Sequence, residues 1–230
     1  MARLLIHQGN KKLGSYISHF SLPALATCPG KTHICARRCY ALQNRYRFKT
    51  TQASLAFSHT VSKSSYFVQH IALAIRNADV HVLRLHPSGD FYSVAYIKKW
   101  YEIASRFPCI TFYGYTRSWA DPKLAQELCK LAELSNVFLW WSVDNDSPGM
   151  FGKPPFHSRV KTVYMAVNYD DKPPLETSLI FRVKRRKIVR YLCGKLVCPA
   201  ENGMSYPWPW TCSRCKMCYA GKPIPEKKVS

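Results

Sequence analysis

The chain has 230 residues, enough to bury a full core within one domain. Its apolar and aromatic content, 47% and 13%, excludes wholesale disorder. Lysine and arginine total 34 against 13 acids, a net charge of +21, which favours DNA, RNA or another polyanion as a partner without implying base recognition.

Taken in order, Met1–His7 does not read as a signal peptide, and no apolar run approaches bilayer length. The expectation is therefore a cytoplasmic protein without membrane contact. Ser15–Leu22 reads as a first strand and leads into a loop bearing Cys28, Cys35 and Cys39, with a Pro29-Gly30 turn after the first cysteine. Three thiolates on one short loop can converge on a metal, leaving a fourth position to another group. Lys31, Arg37 and Arg38 would favour the thiolates. After a polar stretch, Arg45–Thr51, Ser62 is placed to cap a helix with Phe67, Val68, Ile71, Ala74 and Ile75 on one face.

Val80–His86 is a second strand, closed by Pro87-Ser88-Gly89-Asp90. The next helix begins near Ser93 and is expected to bury Ile97, Trp100, Tyr101, Ala104 and Phe107 before Pro108 stops it. Cys109–Thr116 is a third strand; Asp121-Pro122 then caps a helix with Leu124, Leu128 and Leu131 at core spacing. Asn136–Val143, Thr162–Asn168 and Ser178–Val183 are further strands, with no long helix between the last two. Strands alternating with helices indicate parallel βαβ units. There are too few for an eight-fold barrel, so the expected α/β fold is a partial (β/α) barrel or open sheet over 1–190, with a Cys-rich extension over 191–230 packed on it.

In such folds the chemistry gathers at the C-terminal ends of the strands. The cysteine loop lies there, followed by Arg84, His86, Ser88, Gly89 and Asp90, then Thr116 and Arg117, then Asp144 and Asn145, then Asn168. Arg84 and His86 are expected on one face of their strand. With Asp90 and Arg117 they are the candidates to hold a substrate. In the extension, Cys198-Pro199 precedes Cys212-x2-Cys215-x2-Cys218. A C-x2-C-x2-C set with a distant Cys-Pro is the spacing of cubane iron–sulfur ligation more than of zinc ribbons. The expected cofactor is a [4Fe-4S] cluster, one shared between the two cysteine groups or one for each.

Cys109 and Cys129 read as buried packing residues, and Cys193 as packing or a spare ligand. The run Arg182–Arg190 is either a solvated face or a nucleic-acid contact. Tyr206–Trp210 reads as a hydrophobic shield for the metal site. Asp144 and Asp146 read as turn residues.

The cysteine loop after the first strand and the Ser88-Gly89-Asp90 turn after the second resemble the radical S-adenosylmethionine (SAM) enzymes. That resemblance implies Cys28, Cys35 and Cys39 as cluster ligands and Ser88, Gly89 and Asp90 as the turn that contacts the methionine amine. The spacing here is C-x6-C-x3-C where that family has C-x3-C-x2-C, the aromatic residue follows the third cysteine as Tyr40, and the turn lacks a glycine. These departures lead to the expectation that SAM does not bind in the usual way. A wider resemblance, from about Ser15 to Ala220, rests on Ser21-Leu22-Pro23, Cys28-Pro29-Gly30, Cys39-Tyr40, Ser88-Gly89-Asp90-Phe91, Tyr115-Thr116 and the C-terminal cysteines. This set is similar to the phage and giant-virus gene product 88 family and implies a viral iron–sulfur protein. The alternatives are a divergent radical SAM enzyme and a zinc protein that binds nucleic acid without catalysis.

Overall fold

The computed structural model describes residues 4–147, 153–183, 189–202 and 210–220. Seven strands form one sheet: β1 (His7–Gln8), β2 (Ile17–Phe20), β3 (Val82–Leu85), β4 (Thr111–Thr116), β5 (Val137–Val143), β6 (Lys161–Ala166) and β7 (Thr177–Arg182). They lie in chain order; β1 pairs antiparallel with β2, and every later pair is parallel. Parallel strands that neighbour each other in chain order are joined by right-handed crossovers, which puts the connecting helices on one face. Here α3 (Phe67–Asn77), α4 (Val94–Arg106) and α5 (Pro122–Glu133) cover Phe20, Leu83, Leu85, Phe112, Leu139 and Trp141.

The two-residue period of the strands sends the alternate residues to the other face. Ile17, Val82, Tyr113, Trp140, Val163 and Leu179 point there, and no long helix among the described residues covers them. That face is closed by the chain's own C-terminal segment: a hairpin of β8 (Tyr191–Leu192) and β9 (Lys195–Leu196), then the short helices α6 (Pro199–Asn202), α7 (Cys212–Cys215) and α8 (Met217–Ala220). The cysteine-rich extension is thus the second layer of the domain.

Some expectations need correction. A helix, α2 (Lys49–Lys63), follows the cysteine loop where only a polar stretch was expected, and Ser62 lies inside it instead of capping α3. Its apolar residues are diluted by Ser, Thr and Gln, so its period is weak in sequence. Ser62 is buried because its hydroxyl bonds His59 O and the Tyr92 hydroxyl. On α4, Tyr101 is exposed, and Tyr96 and Ile103 take the core positions, as the 3.6-residue period around Trp100 requires. Cys109 is exposed, since β4 starts only at Thr111, whereas Cys129 is half-buried against the helical core. The run at 184–187 and the aromatic residues 206–209 lie outside the described residues.

His86 departs from its expected place. It follows β3 with a left-handed backbone (φ 52°), which turns its ring away from Arg84 and into the helical layer. There it packs edge-on against Phe91 and bonds the Tyr96 hydroxyl at 2.8 Å. Burial pushes its pKa down to about 3; His19 is pushed to about 4 by burial, with His7 and Arg84 adding to the effect. Both rings are neutral in the fold and protonate near pH 6.5 when unfolded, so below that pH the unfolded state binds more protons. Stability should fall between about pH 6.5 and 4, by up to ~1.4 kcal/mol per pH unit for each histidine. Asp90, whose carboxyl is pushed up by burial, acts in the opposite sense. The test is therefore the difference between the wild type and His86→Gln in urea midpoints at pH 7, 5.5 and 4.5. The variant should show the shallower decline, and equal declines would refute the assignment.

Candidate metal centre

The N-terminal cysteine loop sits where the sequence placed it, beyond the C-terminal end of β2, and its mooring is specific. Thr32 caps α1 (His33–Arg37), accepting from Cys35 N at 2.9 Å, and donates its hydroxyl proton to Asp144 Oδ2 at 2.6 Å. Asp144 also pairs with Arg117 at 3.0 Å in a fully buried bridge, and Ile34 N donates to Asp146 at 2.9 Å. Gly30 packs against the Arg117 carbonyl so closely that a Cβ there would overlap it. The glycine is set by this approach as much as by the turn. The loop is thereby tied to the ends of β4 and β5. Thr32 went unnoticed in the sequence, although a Thr three residues before a helical cysteine is a cap signal.

Ser88, Gly89 and Asp90 are likewise engaged within the protein. Ser88 donates its hydroxyl proton to Leu22 O and accepts from Leu22 N through its carbonyl, both at 2.8 Å. Gly89 has φ +80° and lies against Leu22 and Thr27, where a side chain would collide. The Asp90 carboxylate accepts from Phe91 N and Arg117 N, each at 2.8 Å. The turn binds the loop after β2 to the end of β4, and Arg117 is held by Asp144 and Ser147.

Burial raises the pKa of all three loop thiols, Cys28 to about 12 with Asp90 adding to the rise. The cation that most favours the Cys35 thiolate is Arg117, not Lys31, Arg37 or Arg38 of the loop. Replacing Asp144 by Ala should leave Arg117 buried and unpaired, at a cost of ~3–5 kcal/mol. It should also free the loop, so that iodoacetamide modifies Cys35 at least about tenfold faster than in the wild type. An unchanged labelling rate would show that the tether does not hold the loop.

The C-terminal thiols come together from three parts of the chain, each moored to the sheet separately. Cys198 N donates to Ile180 O of β7 at 2.8 Å, Cys212 N to Lys12 O at 2.9 Å, and Trp140 Nε1 of β5 to Cys218 O at 2.9 Å. Lys12 also pairs with Glu201 of α6. With Cys215, Tyr115 and Phe181 the four thiols line one gap of about 10 Å³, the room of a single water. Burial pushes Cys198 up to about 12, with Lys12 opposing, and pushes Cys218 up further still, with Cys198 adding to the rise and a hydrogen bond from Tyr115 opposing it. Cys193 stands apart on the β8–β9 turn, exposed, its thiol near Asp171 O.

The thiols acting on Cys28 are Cys35 and Cys39, and those acting on Cys218 are Cys198, Cys212 and Cys215. Among the described residues no three Cys, His, Asp or Glu side chains already stand close enough to share a single ion.

Arg84 lies in register with His19 on one side and Tyr113 on the other, beside Tyr40, Tyr115 and Cys212. It is 6% exposed, and its buried side-chain Nε has no hydrogen-bond partner among the described residues. Its guanidinium rests 5.1 Å from the Tyr115 ring centre. The Tyr113 hydroxyl is buried and unpartnered as well.

The model of the gene product 88 family matches residues 3–221. The chain belongs to the gene product 88 family. It is similar to the Gene 88 proteins of Mycobacterium phage D29, 25% identical over 132 residues, and Mycobacterium phage L5, 24% identical over 132 residues. Each match takes in 53% of this chain and 53% or 54% of the relative, so the chain spans about half the length of the curated relatives it matches. No solved structure matches. Within this gene product 88 protein, no helix among the described residues is long and apolar enough to cross a membrane.

Proposed function

We propose that this protein is an iron–sulfur protein acting in the cytoplasm of a phage-infected cell. In this reading Cys198, Cys212, Cys215 and Cys218 hold a [4Fe-4S] cluster against the inner face of a partial-barrel sheet, and Cys28, Cys35 and Cys39 form a second, separate site.

The observation that carries the reading is Arg84. A guanidinium cannot shed its charge, and a buried charge without a counter-ion is strongly destabilising. The groups beside it are tyrosines and Cys212, whose thiol would become a thiolate on binding a metal. Four thiolates around a cluster would supply the missing negative charge, and the Tyr113 hydroxyl is a further donor for them. The donor set fits, while the small gap means that loading must spread the thiols outward. The C-x2-C-x2-C spacing favours a cubane over a single zinc ion.

When bound, such a cluster supplies one-electron transfer or a structural cross-link. Arg84 and the tyrosines would set its charge balance, and the second layer would shield it from water. For the N-terminal trio, internal engagement of Ser88, Gly89 and Asp90 argues against the usual mode of SAM binding.

Anaerobic purification with metal and acid-labile sulfide counted per chain tests the reading. A brown protein with at least about four iron and four sulfide is expected. Stoichiometric zinc without sulfide, from cells supplied with iron, would replace it by the second reading, a zinc protein whose +21 charge serves DNA or RNA binding.

A further inference from the structure

A second cavity, of about 470 Å³, lies between β1, β2 and the start of α2. That is within the size range of small-molecule sites. His7 and His19 face each other across the β1–β2 pair with stacked rings 5.6 Å apart, and each touches a serine at 3.4 Å, Ser54 and Ser21 respectively. Arg45 stands at the rim, and no acid lines the cavity. α2 begins here with no side-chain cap and no acid in its first turn. Ser58, 2% exposed, also lines the cavity further along α2.

The cavity has donors and positive charge and lacks a counter-charge. A metal cation is disfavoured, because Arg45 is at the rim and Arg84 is paired with His19 in the sheet register. An oxyanion satisfies every group at once: Arg45 and the two imidazoles by charge-assisted hydrogen bonds, and the helix start by its free amides. The volume exceeds what a phosphate ion fills, and Leu55 and Tyr46 offer an apolar and an aromatic wall for the remainder.

We infer that this cavity binds a phosphomonoester of nucleotide size, its phosphate held by His7, His19, Arg45 and the N-terminus of α2. The inference does not rest on the metal reading, since no cysteine lines the cavity.

Calorimetric titration of the full chain with inorganic phosphate, AMP and a ten-nucleotide single strand, at fixed ionic strength, tests it. Iron is counted on the same samples, so that loss of the ligand and loss of metal are read separately. AMP should bind more tightly than phosphate. Arg45→Gln, at an exposed position, should weaken AMP about tenfold or more, the equivalent of one charge-assisted hydrogen bond. Ser58→Ala should weaken it less, and Lys123→Gln on α5 should leave it unchanged. Three results would overturn the proposal: no heat with AMP or phosphate at millimolar concentration in folded protein, equal weakening by Lys123→Gln and Arg45→Gln, or binding of the oligonucleotide alone.

Discussion

Replacing Cys218 by Ala should remove the C-terminal cluster and detach the second layer from the sheet, whereas Cys109→Ala and Cys129→Ala should do neither. Metal binding by a thiolate site contributes on the order of 10 kcal/mol of folding free energy, comparable with the whole stability of a domain of this kind. The second layer has little else to hold it. Its helices are four residues long, below the length at which a helix is stable alone. What remains is the Lys12–Glu201 pair, a few backbone bonds to Lys12, Leu13 and Ile180, the bond from the Trp140 indole, and the packing of Tyr219 and Met217. The variant should therefore lose iron and sulfide from that site, and protease should cut within 189–220. Cys28→Ala, Cys35→Ala or Cys39→Ala should lower iron separately and leave the second layer in place. Full iron in Cys218→Ala would refute the ligand set, and joint loss of all iron from either group would refute two sites in favour of one.

Arg84→Met should change sign with metal content. In the metal-free protein the substitution replaces a buried unpaired cation by an apolar chain of similar reach, which should stabilise the fold by ~1–4 kcal/mol. In the cluster-loaded protein it removes a buried cation beside Cys212. Iron should then be released at least about tenfold faster and the reduction potential should fall, because the reduced cluster carries the additional negative charge. Chemical denaturation of the metal-free form and chelator-driven iron release from the loaded form measure the two halves. Destabilisation in both states would mean that Arg84 is held by packing against Tyr115 alone.

Much of the scaffold was legible locally. The sequence places β3, α3, α4, β4, α5 and β5 nearly where they lie, because each element shows its own period and signals such as Asp121-Pro122 or Ser93 are written within a few residues. α2 was not legible, since its burial is supplied by neighbours and its own pattern is weak. The basic run and the aromatic cluster named in the sequence fall largely outside the described residues.

For the site, the sequence by itself determined that the cysteines fall into two groups, because ligand spacing is a local property of the chain. Only the tertiary structure decided what surrounds them. Arg84 and His86 are two residues apart, yet one backbone reversal at His86 puts its ring in the helical core and leaves the guanidinium on the other face, against Tyr115 and near Cys212. Ser88, Gly89, Asp90 and Arg117 read as ligand contacts because their partners, Leu22, Thr27 and Asp144, lie far away in the chain. Likewise, nothing in 191–230 says which face of the sheet it covers. That follows from the strand order, which sends the crossover helices to the other face, and from the apolar residues this face must bury.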